Sequence, residues 1–516
     1  MLLIHAQPST LLRARLQIPR GYKFPVAFNF NGALANGARV FILVLSYEYF
    51  ERMRPPPAHR EEPSPASPES MPPDIHNVYI YEVFNTASWS VVLGSPMLLY
   101  FQHLNATATI LAIAACLAPV LNILQIPAAH FVERVGYRRF VLSGWTTRSI
   151  VVVGMTLVAF LPDSVDPATR MVMMLGLSFV YNTLRGISVC GFLPWFTHIV
   201  PESRRGEFLA KDQLAGALAA IACLFIAGSL LHLHNAWYSF GIVFAMSAAA
   251  AFTSLIFLRR IPDVPVEKII ANPSPMPWRE MLFYPPFFKY IRYNLIVNMA
   301  LGASAVFWVR YFRTSLQVSE SGVLFVACLG TIVVALGLFL VGPLIDRAGN
   351  KPALTFSGIL FTCHFLGWAG VAARIIPFNP LVLGLQLFTS GFGGALWNLA
   401  NVRTVMGIVP HMGRPHFLAL YSVVSNLTIG LVPLFWGPVL DYFEHWRVAW
   451  GYWQWNSYSV FYCTLAFTMC VGLFMLRSVV EPVTMTWDVF MTELLVKTPS
   501  RAVSRLIGRL RGPVIG

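Results

Sequence analysis

Charge is scarce in this sequence: only 12% of its 516 residues are Asp, Glu, Lys or Arg, while 56% are hydrophobic. An ordinary soluble domain carries about 25% charged residues, so the composition argues against a soluble globular chain. Cysteine is sparse too. All seven (Cys116, Cys190, Cys223, Cys328, Cys363, Cys463 and Cys470) stand in apolar stretches without a CxxC pair, which argues against a disulfide framework and against a zinc site. No G-x-x-x-x-G-K-[ST] is present, so the chain brings no ATP motor of its own. HExxH and G-x-S-x-G are likewise missing from any plausible position. His130, His198, His232, His234 and His364 are scattered without metal-ligand spacing and read as structural. No metal and no cofactor is expected. Asp163-x-x-Asp166 has the form of a metal or diphosphate ligand pair, but it occurs once, between Pro162 and Pro167, and reads as loop capping.

Long apolar stretches are abundant. From Val78 onward twelve candidate spans begin near Val78, Thr107, Val141, Thr169, Leu214, Ala236, Phe287, Gly322, Ala353, Pro380, His416 and Tyr458. Each approaches the roughly 20 residues that a bilayer core requires. The break from Arg259 to Pro286 divides them six and six. The expected organisation is therefore a six-helix bundle over 76–258, a linker over 259–286, a second bundle over 287–479 and a tail over 480–516. Residues 1–75, Pro-rich and charged from Arg54 to Pro73, read either as a disordered extension or as a stretch ahead of a start at Met71. Arg13, Arg15, Arg20 and Lys23 precede a short apolar run without a small-residue cleavage site, so a cleavable signal is not expected.

The net charge of +14 would raise nucleic-acid binding in a soluble protein. Here its distribution explains it otherwise. Loops on one side of the expected bundle hold thirteen Lys and Arg, among them Arg134, Arg138, Arg139, Arg204, Arg205 and Arg347; those on the other side hold three, Arg313, Arg374 and Arg447. The basic side is cytoplasmic by the positive-inside tendency, and both termini join it. No nucleic-acid partner is expected. In the tail, Trp487, Phe490, Met491, Leu494 and Leu495, then Val503, Leu506, Ile507 and Leu510, recur at helical spacing with four Arg between them. That pattern suits an amphipathic helix on an anionic bilayer surface.

The loops repeat. Pro201-x3-Arg205-x2-Phe208-Leu209-Ala210 recurs as Pro410-x3-Arg414-x2-Phe417-Leu418-Ala419, an offset of 209. Glu133-Arg134-Val135-Gly136-Tyr137-Arg138 is matched by Asp346-Arg347-Ala348-Gly349-Asn350-Lys351, an offset of 213. Two matched loops at nearly equal offset indicate a duplicated six-helix unit. At these residues the chain resembles the major facilitator superfamily of secondary transporters. Gly342-Pro343-Leu344-Ile345-Asp346-Arg347-Ala348-Gly349-Asn350-Lys351 looks like the family's G-x-L-a-D-r-x-G-r-k loop between helices eight and nine. The first copy departs from it, with Ala129 for the leading Gly and Glu133 for Asp. Gly136 and Gly349 permit a tight turn. The carboxylates of Glu133 and Asp346 are candidates to latch one conformer by accepting bonds from an opposing helix N-terminus or Arg, or simply to satisfy the turn.

The resemblance implies an all-α polytopic membrane protein, with twelve transmembrane helices in two pseudo-symmetric six-helix bundles. It also implies alternating access through a cavity lined by helices one, four, seven and ten. Amides within spans are Asn85 in helix one, Asn122 and Gln125 in two, Asn182 in four, Asn294 and Asn298 in seven, Gln386, Asn398 and Asn401 in ten, and Asn426 in eleven. Helices three, six, nine and twelve have none. Amides are costly toward lipid, so this distribution suits inner helices and outer struts. Glu82, Asn85 and Trp89 share a helical face, as do Ser178, Asn182, Arg185 and Ser188, and Ser390, Asn398 and Asn401. Trp308 and Trp397 suit either packing or stacking on a ligand ring.

Glu82 is the one acidic residue expected well inside a span, and Arg185 is its expected cation. Their depths put the two within reach. They form either a coupling pair, with Glu82 exchanging a proton, or a structural pair; Arg185 is alternatively a receiver for an anionic substrate. The function expected is a secondary transporter of a small solute. Its coupling ion is a proton rather than sodium, its form a monomer, and its place the plasma (inner) membrane. A polytopic membrane enzyme and a transporter-fold sensor without flux are the alternatives.

Overall fold

The computed structural model describes residues 75–200, 204–233, 238–264, 278–409, 414–451, 453–479, 481 and 487–493. Nearly all of the expected extension 1–75, and most of the linker and the tail, lie outside the described residues.

Among the described residues, ten helices are long and apolar enough to cross a bilayer by length and composition. They occupy the places expected for helices two to nine, eleven and twelve. Helix one, Ile75–Val92 continuing as Ser95–His103, and helix ten, Pro380–Ile408, fall short of that measure yet pack in their expected places. The reason is chemical. Helix one carries Asn77, Glu82 and Asn85, and helix ten carries Gln386, Asn398, Asn401 and five glycines. A spanning helix satisfies every backbone group internally, which is what the bilayer demands. Side chains such as Leu381 and Phe474, 82% and 70% exposed, suit a lipid-facing surface.

Three spans are broken, each four residues before a proline. Helix one stops at Val92 ahead of Pro96; Asn122–Leu124 in helix two tightens to a 3-10 turn ahead of Pro127; Val189–Gly191 in helix four does so ahead of Pro194. A proline ring collides with the carbonyl four residues earlier and removes one backbone donor.

Packing repeats between the halves. Helix one lies against five and six, three against four and six, and two against four; six positions on, helix seven lies against eleven and twelve, nine against ten and twelve, and eight against ten. The halves meet chiefly through helix two on eleven and helix five on eight, which exchange under the same symmetry.

A short antiparallel hairpin, Arg447–Trp450 with Trp453–Asn456, follows helix eleven and departs from the all-helical expectation. It closes the end of helix nine: Gln454 N donates to Ala373 O (3.1 Å) and Asn456 Nδ2 to Ala372 O (2.6 Å). We call this the hairpin end of the bundle. The opposite end, with Gly136 and Gly349, is the turn end. There the first part of the tail departs from the expected lipid-lying helix: Trp487–Thr492 packs on helix nine, with Phe490 fully buried and its ring 6.4 Å from that of Phe356.

Candidate functional site

Helix one presents Glu82 toward helix five. A Cβ on Gly216 would stand 3.4 Å from Glu82 Oε1, so the missing side chain leaves room for the carboxylate. Asp212, one turn earlier on helix five, is within Coulombic range of Glu82. Sequence reading missed it, because the polar turn Arg205–Gln213 hides a helix that begins nine residues before the expected Leu214. The donors to Glu82 are neutral: Thr86 Oγ1 at 2.6 Å and Asn85 Nδ2 at 3.3 Å. Asn85 Oδ1 faces helix three, accepting from Trp145 Nε1 at 3.2 Å and from Arg148 at 3.5 Å.

The expected pairing of Glu82 with Arg185 is not what the structure holds. Arg185 donates to Asn122 Oδ1 at 2.9 Å. The cause is the close approach of helices two and four: a Cβ on the neighbouring Gly186 would fall 2.1 Å from Leu121 O. That contact turns Arg185 onto helix two. The cation linked to Glu82, through Asn85, is Arg148. Only 7% exposed, Arg148 lies with its guanidinium carbon 4.1 Å from the Trp145 ring centre and 5.4 Å from that of Tyr181. A scan for amides alone leaves helix three blank, whereas a lone Arg amid Val141–Phe160 was a readable signal. Asn182 is buried and donates to Ser178 O at 2.9 Å within its own helix.

The C-terminal half contains a different polar cluster. Asn294 Nδ2 donates to Asn401 Oδ1 at 3.0 Å, Asn298 Nδ2 to Asn294 Oδ1 at 2.8 Å, Asn401 Nδ2 to Tyr421 Oη at 2.6 Å, and Ser425 Oγ to Asn294 Oδ1 at 2.7 Å. Tyr290 also donates to Asn401 Oδ1. Offsets of 212 and 213 carry Glu82 and Asn85 onto Asn294 and Asn298, so the duplication places an amide where the first half has its acid. Asn398 is exposed, while Trp397 meets Tyr293 edge to face at 5.8 Å.

The turns adopt the geometry their glycines allow. Gly136 has φ 90° and ψ 147°, Gly349 φ 83° and ψ 168°, a region open in practice to glycine alone. The basic residue after each turn caps the last helix of its own half: Arg138 donates to Arg259 O at 2.5 Å, and Lys351 Nζ to Arg477 O at 3.2 Å. Glu481 meets the start of helix nine, accepting from Asn350 N at 3.0 Å and Lys351 N at 2.7 Å. Arg134 is exposed, and Gly342 lies within the backbone of helix eight. The side chains of Glu133, Asp346 and Arg347 lie outside the described residues. The Asp163 and Asp166 carboxylates do serve their loop, Asp166 Oδ2 accepting from Thr169 N at 3.1 Å and Asp163 pairing with Arg170 at 3.2 Å.

Bonds between the halves gather at the hairpin end. Asp441 of helix eleven accepts from Ala108 N at 2.7 Å, Thr109 N at 2.8 Å and Thr109 Oγ1 at 2.6 Å, and pairs with Arg310 at 3.0 Å. His103 lies 3.1 Å from Glu320, which also pairs with Arg313 at 3.3 Å. Gly437 and Gly430 admit helix two: a Cβ on Gly437 would reach Thr109 Cα at 2.8 Å, and one on Gly430 would reach Pro119 at 2.9 Å.

Comparison with known proteins follows this architecture. No curated protein matches the chain. Among solved structures, nucleoside transporter NupG in a substituted form superposes with a TM-score of 0.61 at 14% identity, over 79% of this chain and 100% of that one. The inward-open xylose transporter XylE from E. coli gives 0.59 at 14%, over 81% and 98%. A substituted peptide transporter POT in complex with sulfate gives 0.59 at 12%, over 78% and 94%. At such identities the likeness establishes the fold alone. The Major Facilitator Superfamily profile matches residues 78–396, more than half of the sequence. With its duplicated six-helix packing, its glycine turns and that match, the chain belongs to the major facilitator superfamily.

Proposed function

We propose that the protein is a secondary active transporter that moves a small solute by alternating access, coupled to protons at Glu82. The observation that carries the reading is the set of polar links that join the halves at the hairpin end. Asp441 and His103 bond across from half to half there. A clamp closed at one end by a few reversible bonds has a second state in which they break and the turn end closes. Secondary transport uses such a pair of states.

Glu82 supports proton coupling. Its donors are uncharged, so a carboxyl held in a span is free to gain or lose a proton as its surroundings change. The basic loops favour a cytoplasmic turn end, and the closed end is then the outer one. The protein acts as a monomer in the plasma (inner) membrane. The solved neighbours carry nucleosides, peptides and xylose, and the solute here falls in that size range.

The test locks the clamp. His103→Cys with Glu320→Cys would join helices one and eight, since the two native side chains meet at 3.1 Å. Oxidation should abolish solute exchange in proteoliposomes and a reductant should restore it. Exchange that persists after complete cross-linking removes alternating access.

A further inference from the structure

Among the described residues, the first half holds a buried cation, Arg148, and a half-buried one, Arg185, without an acidic partner. Neither Arg148 nor Arg185 meets a carboxylate within 4 Å among the described residues; each bonds instead to an amide oxygen, of Asn85 and of Asn122. The two guanidinium groups are within Coulombic range of one another, with Tyr181 beside both. Like charges in a desolvated site repel, so this juxtaposition costs stability as it stands.

Further polar atoms here lack partners. Arg148 Nε is buried with no hydrogen bond, and so are Ser178 Oγ and Asn182 Oδ1 on the face of helix four that carries Arg185. A buried polar group without a partner is costly. The asparagine and tyrosine cluster of the second half, by contrast, is closed on itself. A cavity of about 10 Å³ adjoins Arg148, lined among others by Asn85, Ser149, Tyr181 and Ser254. It has room for about one water.

We infer that Arg148 and Arg185 form the receiver for the oxyanion group, carboxylate or phosphate, of a small organic solute. The inference rests on the transport reading above and names the substrate class of that site. Each guanidinium presents a planar fork that matches an oxyanion with two parallel bonds. The amide oxygens of Asn85 and Asn122 hold those forks until the anion displaces them. Trp145 and Tyr181 keep the Arg148 fork in place by stacking on it. Glu82 and Asp212 are acids in range of one another, and Asn85 stands between Glu82 and Arg148. A proton on Glu82 removes one negative charge as the anion brings another, so each event favours the other.

The test uses the full chain purified in detergent, with lactate, succinate, benzoate, glucuronate and glycerol phosphate as probes. Each is compared with an uncharged counterpart: lactamide, succinamide, benzamide, glucose and glycerol. At least one anion should raise the melting temperature and its counterpart should not. Arg148→Gln and Arg185→Gln should each weaken that anion about tenfold or more, and Arg148→Lys less than Arg148→Gln. Melting curves without ligand establish that the variants are folded. The carboxylate and phosphate members separate the two oxyanions. The proposal is overturned if no anion stabilises the protein, if uncharged counterparts do so equally, or if both Gln variants respond as the parent does. Proteoliposome exchange tells this failure from that of the transport reading: exchange of an uncharged solute with no anion binding leaves transport standing, whereas anion binding without exchange of any solute removes transport alone.

Discussion

Asp441 reaches from one half of the molecule to the other to hold Thr109, accepting from its backbone N at 2.8 Å and its Oγ1 at 2.6 Å while Arg310 pairs with the same carboxylate. A carboxylate at the first turn of a helix also meets the positive end of the helix dipole. On the transport reading, the contact therefore favours a state closed at the hairpin end.

Asp441→Asn should weaken that state. Hydrogen bonds to a charged group contribute about 1.5–3 kcal/mol each, and about 1.4 kcal/mol is a tenfold population change. Cys116 is a natural reporter, being buried where Gly430 meets helix two. Its alkylation, followed by mass spectrometry, should accelerate about tenfold in the variant. An unchanged rate would show that the bonds do not hold the closed state.

Much of this fold is legible in the sequence, and the reasons are specific. Glu133–Arg138 and Asp346–Lys351 repeat because both halves need the same turn, and Gly136 and Gly349 mark where φ turns positive. Glu82 stands out because an acid within an apolar span is costly. The partner of Arg185 was not legible: spacing along one helix fixes a face, but the approach of Gly186 to Leu121 decides where that face points. Asp441 escaped notice for a similar reason. It ends a span, where an acid is unremarkable, and only the meeting of helices two and eleven makes it a cross-link.

Gly136→Val and Gly349→Val should each slow transport while leaving substrate affinity within a few-fold. A β-branched residue in this backbone region costs of order 1–3 kcal/mol, and the strain falls on turns remote from the paired arginines. The check is uptake kinetics beside binding on the same preparations. A variant that transports at the parental rate would show that the turn relaxes freely.

Asn401→Leu should destabilise the second half. It leaves Tyr290 Oη with one acceptor fewer and Asn294 Nδ2 without its 3.0 Å acceptor. Tyr290 keeps the Asn401 backbone O at 2.8 Å, whereas the orphaned Asn294 N–H costs about 1–3 kcal/mol. A fall in the melting temperature of several degrees is expected, and anion binding by the folded fraction should remain. Equal melting temperatures would mean that the cluster reorganises around the lost amide.

Glu481→Ala should loosen the turn end without touching the hairpin end. The carboxylate meets Asn350 N, Asn350 Nδ2 at 2.6 Å and Lys351 N, so its loss frees the opening donors of helix nine. Capping losses run to about 0.5–2 kcal/mol. Hydrogen exchange at residues 350, 351 and 353 should accelerate accordingly, while that at residues 108–111 should not. Acceleration at both would place the cap in the clamp itself.

Glu82→Gln separates coupling from carriage. The glutamine keeps an oxygen that accepts from Thr86 Oγ1 but no longer takes up a proton, so the bonds that position helix one survive in outline. Counterflow, which exchanges loaded states without net proton movement, should persist at a rate within a few-fold of the parent. Uptake driven by an imposed proton gradient should fall to the level of gradient-free vesicles. The charge argument adds a second expectation. With one negative group removed beside Asn85 and Arg148, an anion should bind at least as tightly as to the parent. If gradient-driven uptake survives in full, Glu82 is a structural acid and the proton crosses elsewhere.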